Sequence, residues 1–171
     1  MIDLPTGRSP HDLLQEQQVG RPNGVWRVLV VCQLLNRTHG RQVRPLADER
    51  YGAPLFVRWP TPHAMSLARL PELQLLLRPL GFAEQRSRSL KAMSAQYNAM
   101  LFADPEFWRG SEDGEWCKGL QGCGQYAKES LDLVVYGRLS APTTDHWLTK
   151  YQQWRLSQAA GTAELDDMEA S

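Results

Sequence analysis

Apolar residues recur in short clusters at helical spacing, cut apart by polar, Gly-marked and Pro-marked breaks. Residues 25–36 are apolar on nearly every side. The Val-Leu-Val-Val-Cys stretch inside them also reads as a buried strand. Their length and the absence of internal breakers predict a central buried helix instead. That helix ends at a polar corner, Asn36-Arg37-Thr38-His39-Gly40. Upstream, Ser9-Pro10 predicts a helix start, with Asp12 near the positive end of the dipole. This helix carries Leu13, Leu14 and Gln15 and stops before Gly20; residues 21–24 are a turn. Downstream, residues 42–51 predict a helix with Pro45 in its first turns. Thr61 caps a helix beginning at Pro62, and Pro71 starts another through Leu77. Arg78-Pro79-Leu80-Gly81-Phe82 is a tight turn that shows an aromatic. Residues 83–100 form an amphipathic helix on Leu90, Met93 and Tyr97.

The remainder is organised by a glycine hairpin, Leu120-Gln121-Gly122-Cys123-Gly124, set between two helical segments. An acidic surface loop, 103–114, precedes it. The second helix covers 126–136 with Leu131, Val134 and Val135 inward, and a linker follows at 141–144. Residues 145–158 form a last helix with Trp147, Leu148, Tyr151 and Trp154 on one stripe. Residues 1–8 read as a flexible arm and 159–171 as a disordered acidic tail, leaving 9–158 as one domain. No segment reads confidently as a strand, so the predicted class is all-α.

The formal net charge of zero argues against a polyanion partner until its distribution is considered. Residues 1–100 hold 13 Lys and Arg against 7 Asp and Glu, whereas residues 101–171 hold 6 against 12. A basic face therefore fits a neutral chain, and the local field decides phosphate binding. Cys32, Cys117 and Cys123 form no metal-ligand pattern, Cys32 lies in the apolar run, and no four-cysteine set follows the hairpin. No metal or organic cofactor is expected, and a reducing compartment such as cytoplasm, nucleoid or nucleus fits best. The longest apolar run is too short to span a bilayer.

Two glycines at i and i+2 free successive amides to point outward beside a helix N-terminus, where they bind phosphate oxygens without reading sequence. The same residues also make an ordinary turn. Asp145, about twenty residues on, sits where an N-cap belongs. A carboxylate there can equally stabilise the positive charge that develops on a sugar ring as an N-glycosidic bond breaks. The two roles are compatible.

Five segments strengthen the second reading of each: RSPHDLLQE at 8–16, LLNRTHG at 34–40, RPLGF at 78–82, LQGCGQYAKES at 120–130 and DHWLTKYQQW at 145–154. In these residues, and in their order across 8–157, the chain resembles the helix–hairpin–helix DNA glycosylase superfamily. Within it the resemblance is to the glycosylase domain of methyl-CpG-binding thymine/uracil mismatch glycosylases. The resemblance implies two helical lobes with a DNA-binding and base-binding cleft between them, double-stranded DNA as partner and a monomeric enzyme. It implies Asp145 as the catalytic carboxylate. Tyr126 falls where bifunctional relatives carry a Schiff-base lysine, which implies a monofunctional enzyme that leaves an abasic site. Lys128 is the nearest amine, and helix geometry turns it about 200° away from Tyr126.

Further roles follow from the same resemblance. Arg37 would fill the space of an extruded nucleotide, and Phe82 or Leu80 would wedge the opposite strand. Leu14, Gln15 and Tyr126 would meet the base, with Asn36 and Thr38 ordering the pocket corner. Gly122, Gly124, Gln125 and Lys128 would hold the DNA backbone. Two departures point toward an altered target base: about three extra residues after the Gln15 segment, and a long acidic loop at 103–114. Uracil, thymine opposite guanine and 5-substituted uracils are the candidates. A DNA-binding protein without catalysis, and an enzyme that modifies a hypermodified base, are the competing functions.

Overall fold

The computed structural model describes residues 11–18 and 23–169, with side chains for 11–17 and 23–159. Among them no strand occurs, and the chain is all-α. The helices are α1 (Asp12–Gln18), α2 (Gly24–Leu35), α3 (Gly40–Ala47), α4 (Pro54–Arg58), α5 (Pro62–Ser66), α6 (Leu70–Leu77), α7 (Ala83–Ala103), α8 (Gln125–Val134) and α9 (His146–Glu169). The predicted Ser9-Pro10 start and most of the 21–24 turn lie outside the described residues.

α2 is the buried spine. Trp26, Val28, Leu29, Val30, Val31 and Leu34 are fully buried, which covers every face of the helix. The Trp26 indole donates to Ser94 Oγ at 3.0 Å, so its polar edge is satisfied where the ring is sealed. One lobe gathers α5, α6 and α2 around α7. The other gathers α1 and α8 against the opposite flank of α2, with α9 packed on α8. A cleft opens at the C-terminal end of α2, lined by α1, α2, α3, α8, the hairpin and the start of α9.

Local chemistry explains most boundaries. Thr61 Oγ1 accepts from Ala64 N at 3.1 Å, and Pro62 follows as the first helical residue. Pro45 sits in the second half of α3, not in its first turns, because the helix begins two residues earlier at Gly40 and ends at Ala47. The segment after it, Glu49–Tyr51, is a 3₁₀ turn capped by Asp48. The segment before the hairpin, Glu115–Gly119, is likewise 3₁₀. Where the sequence predicts a disordered tail, α9 continues to Glu169; its Ala, Glu and Leu residues outweigh Gly161.

The acidic loop after α7 is pinned from within. Phe107 packs edge-on against Trp116 at 5.0 Å between ring centroids and against Tyr97 at 5.4 Å. Tyr136 donates its hydroxyl to Trp108 O at 2.7 Å and accepts from Trp116 Nε1 at 2.8 Å.

Candidate active site

The glycine hairpin is clamped from behind. Gln33 of α2 donates to Gln121 O at 2.7 Å, and Gln96 of α7 accepts from Gln121 N at 2.7 Å. Gly122 has φ 73°, and a Cβ there would lie 2.5 Å from Ser89 Oγ and 3.0 Å from Gln33 Cδ. Glycine is required at that position by both backbone and space. Gly124 differs: nothing lies within 4 Å of its would-be Cβ, and its φ of −127° is ordinary. The amides of Gly122, Gly124 and Gln125 donate to no group among the described residues. They lie at the N-terminus of α8, a cradle for an anion.

Asp145 stands across from this turn. Its Oδ1 accepts from Trp147 N at 2.8 Å and Leu148 N at 3.0 Å, capping α9. Oδ2 has no hydrogen bond among the described residues, so the cap occupies one oxygen and leaves the other. A buried carboxylate fixes the residue before it. Glu129, 1% exposed, accepts from Thr144 N at 2.9 Å, Thr144 Oγ1 at 3.0 Å and Gln125 Nε2 at 2.8 Å. Farther along α9, Gln152 Nε2 donates to Leu139 O and Ala141 O at 2.7 and 2.8 Å. The linker that delivers Asp145 is thus tied to α8 and to α9.

One cavity of about 1070 Å³ joins these parts. Its wall includes Asp145, Tyr126, Asn36, Arg37, Thr38, Gly122, Gly124 and Gln125, eight of the residues singled out from the sequence. It also includes His11, Thr144 and Trp147. His11 Nε2 lies 2.8 Å from the Tyr126 hydroxyl. Burial is the main force that pulls the His11 pKa down to about 4, against the raising influence of Asp145 and Asp12; burial also pushes the Tyr126 phenol well up. Both side chains are therefore neutral near pH 7 and serve as hydrogen-bonding groups.

Four expected residues are placed elsewhere. Leu14 is fully buried in the core, and neither it nor Gln15 lines the cavity; α1 contributes Leu13 there, with His11 just before it. Leu80 is also core, 7% exposed, because the 3₁₀ turn points it inward, whereas Phe82 is 70% exposed. Phe82 borders a second groove with Arg37, Gln121 and Gly122. Lys128 is absent from both walls. Its ammonium pairs with the buried Asp132 at 2.6 Å, and that hydrogen bond is the main reason its pKa is raised. Within α8, Lys128 is thus held by Asp132, four residues on. No residue of the 103–114 loop lines either space, so the loop does not border the pocket.

His11 and Glu129 are not among the residues that the sequence singles out. His11 has a signal there, as the one histidine of RSPHDLLQE. Glu129 carries no such signal, since it reads as an ordinary helix charge until its partner fifteen residues away is known. All three cysteines are buried and free, with burial pushing Cys123 to about 11 and Cys117 to about 12. Among the described residues no helix is long and apolar enough to cross a membrane, and no group of three or more His, Cys, Asp or Glu side chains could hold a metal.

No family model matches the chain. A methyl-CpG-binding domain protein 4-like protein of Arabidopsis thaliana is 30% identical over 145 residues, covering 84% of this chain and 28% of its own length. A thymine-DNA glycosylase of Aeropyrum pernix is 31% identical over 116 residues, covering 66% of this chain and 46% of its own length. A thymine/uracil-DNA glycosylase of Pyrobaculum aerophilum is 27% identical over 117 residues, with 66% and 45% covered. The chain belongs to the helix–hairpin–helix DNA glycosylase superfamily. It spans less than half the length of each of these superfamily relatives. A solved structure described as a trapped endonuclease III–DNA covalent intermediate aligns with TM-score 0.47 and 20% identity, covering 85% of this chain and 64% of that one.

Proposed function

We propose that this chain is a monofunctional DNA glycosylase that extrudes a mismatched or modified pyrimidine from double-stranded DNA and hydrolyses its N-glycosidic bond. The observation that carries the reading is the shared cavity, with the unbonded amides of Gly122, Gly124 and Gln125 on one side and Asp145 on the other. The amides grip a backbone phosphate of the damaged strand. Arg37 takes the place of the extruded nucleotide, and Phe82 separates the bases opposite. The base enters beside Tyr126, whose hydroxyl His11 holds in place.

As the bond between C1′ and the base nitrogen breaks, its electron pair leaves with the base and positive charge grows on the sugar. The Asp145 carboxylate stabilises that charge and orients the water whose oxygen bonds to C1′. The water's proton passes to Asp145 or to solvent. Among the described residues the cavity wall offers no lysine, which favours hydrolysis over an imine and leaves an intact abasic site. Thymine and uracil are the favoured bases, in keeping with the names of the two archaeal relatives. The work belongs to base excision repair by a monomer, and the three free thiols accord with a reducing compartment.

The test uses duplexes carrying U·G, T·G and 5-hydroxymethyluracil pairs beside an undamaged control. Free base and alkali-labile sites from one of the first three, lost in Asp145→Asn, support the reading. Tight binding without base release points to a DNA-binding protein, and an altered but still attached base to a modifying enzyme. An Asp145→Asn variant as active as the parent would remove the mechanism.

A further inference from the structure

Two exposed side chains stand at the mouth of the second groove in strained backbone. Arg37 has φ 56° and Phe82 φ 49°, left-handed values that strain a residue with a Cβ. They lie 45 residues apart, one just past the end of α2 and the other at the N-cap of α7. A single guanidinium bonds the neighbours of both. Arg86, one turn into α7, donates Nε to Gly81 O at 2.9 Å, directly before Phe82. It donates Nη2 to Asn36 O at 3.0 Å and Thr38 Oγ1 at 2.6 Å, the residues on either side of Arg37. It donates Nη1 to the last carbonyls of α2, Gln33 O at 3.1 Å and Leu34 O at 3.2 Å.

We infer that Arg86 is the positioning residue that holds Arg37 and Phe82 in register as one two-pronged wedge, so that both enter a duplex together. The inference rests on the glycosylase reading only for the wedge, not for the chemistry. Three features support it. All five acceptors are uncharged oxygens, and Arg86 has no carboxylate partner among the described residues, so an ion pair does not explain its place. Its cation meets the negative end of the α2 dipole, which favours it electrostatically. The bonds run in three directions from one planar group, a geometry that the point charge of lysine does not reproduce. Without the clamp, the two prongs would relax toward ordinary backbone independently, and inserting them would require both to be reordered at the DNA.

The experiment compares wild type with Arg86→Lys on a duplex carrying 2-aminopurine beside a U·G or T·G pair. Fluorescence reports unstacking, and anisotropy on an undamaged duplex reports the phosphate grip. Wild type should unstack the site on binding. Arg86→Lys should slow or diminish the fluorescence rise about tenfold while undamaged-duplex affinity stays within twofold. Arg86→Lys matching the wild-type rise overturns the inference, and so does a wild type that binds without any rise. A wild type that unstacks the site but releases no base defeats the glycosylase reading and leaves the wedge test intact. If Arg86→Lys fails to fold, Thr38→Val removes the 2.6 Å acceptor together with the hydroxyl's own 3.3 Å bond to Asn36 O; a several-fold loss of the rise supports the inference and an unchanged rise overturns it.

Discussion

Asp145 combines a structural and a chemical duty that substitution can separate. Asparagine caps helices about as well as aspartate, and Oδ1 is the atom that accepts the two α9 amides. Asp145→Asn should therefore melt within a few degrees of wild type while single-turnover base release falls about a hundredfold or more. A variant that loses stability and activity together would reduce Asp145 to a cap. The hairpin glycines separate in the same manner. An alanine methyl at position 124 meets nothing within 4 Å, whereas at position 122 it meets Ser89 and Gln33 at φ 73°. Gly122→Ala should destabilise the fold by about 1–2 kcal/mol, measured in denaturant. Gly124→Ala should leave stability unchanged and weaken duplex binding several-fold, because only a bound phosphate needs that space. Equal affinity for DNA would mean the backbone passes elsewhere.

At the scale of elements, the hairpin and the acid are not independent pieces. Glu129 bonds Gln125 at the start of α8 and Thr144 just before α9, so the hairpin end of α8 and Asp145 share one buried bracket. Glu129→Leu leaves the Thr144 amide and hydroxyl without partners, a cost of about 1–3 kcal/mol. It should also lower the rate of base release at saturating enzyme more than it lowers DNA affinity; equal losses in both would assign Glu129 to folding alone. This bracket also marks the limit of what the amino-acid pattern reveals. Elements with local punctuation are legible: Thr61-Pro62 starts α5, Pro71 lies in the first turn of α6, and the apolar run 25–36 is α2. α4 is not, since its N-cap is Ala53 in a left-handed conformation with no polar cap. Candidate residues that sit in loops, turns and caps stand out by type: Asp145, Arg37, Phe82, Gly122. Those defined by a partner far along the chain do not: Glu129 with Thr144 and Arg86 with the end of α2. Leu14 and Leu80 fail for the complementary reason, because motif position alone does not tell which face of a turn meets the core.

For the whole molecule, stability should carry the signature of a buried histidine at the heart of the cleft. His11 is 8% exposed and packs beside Tyr126, with Asp12, Arg44 and Asp145 as its charged neighbours. Burial holds its pKa at about 4 in the folded chain, against 6.5 for a free side chain. Between those values the unfolded chain binds a proton that the folded chain refuses. Stability must then fall as pH drops from about 6.5 to about 4, and this contribution is flat above pH 7.5. The window from 6.5 to about 4 corresponds to an upper bound on the order of 3–4 kcal/mol. Asp48, held low chiefly by its hydrogen bond to Arg50, loses its contribution only below the ordinary carboxylate range, so the two effects separate along the pH axis. His11→Gln keeps a hydrogen-bonding side chain beside the Tyr126 hydroxyl and removes the titration. Denaturant unfolding at pH 7.5, 6.0 and 4.5 should show wild type losing stability faster than the variant across both steps. Parallel curves would mean that His11 takes up its proton in the folded state, and the neutral His11–Tyr126 pair that frames the base pocket would have to be abandoned.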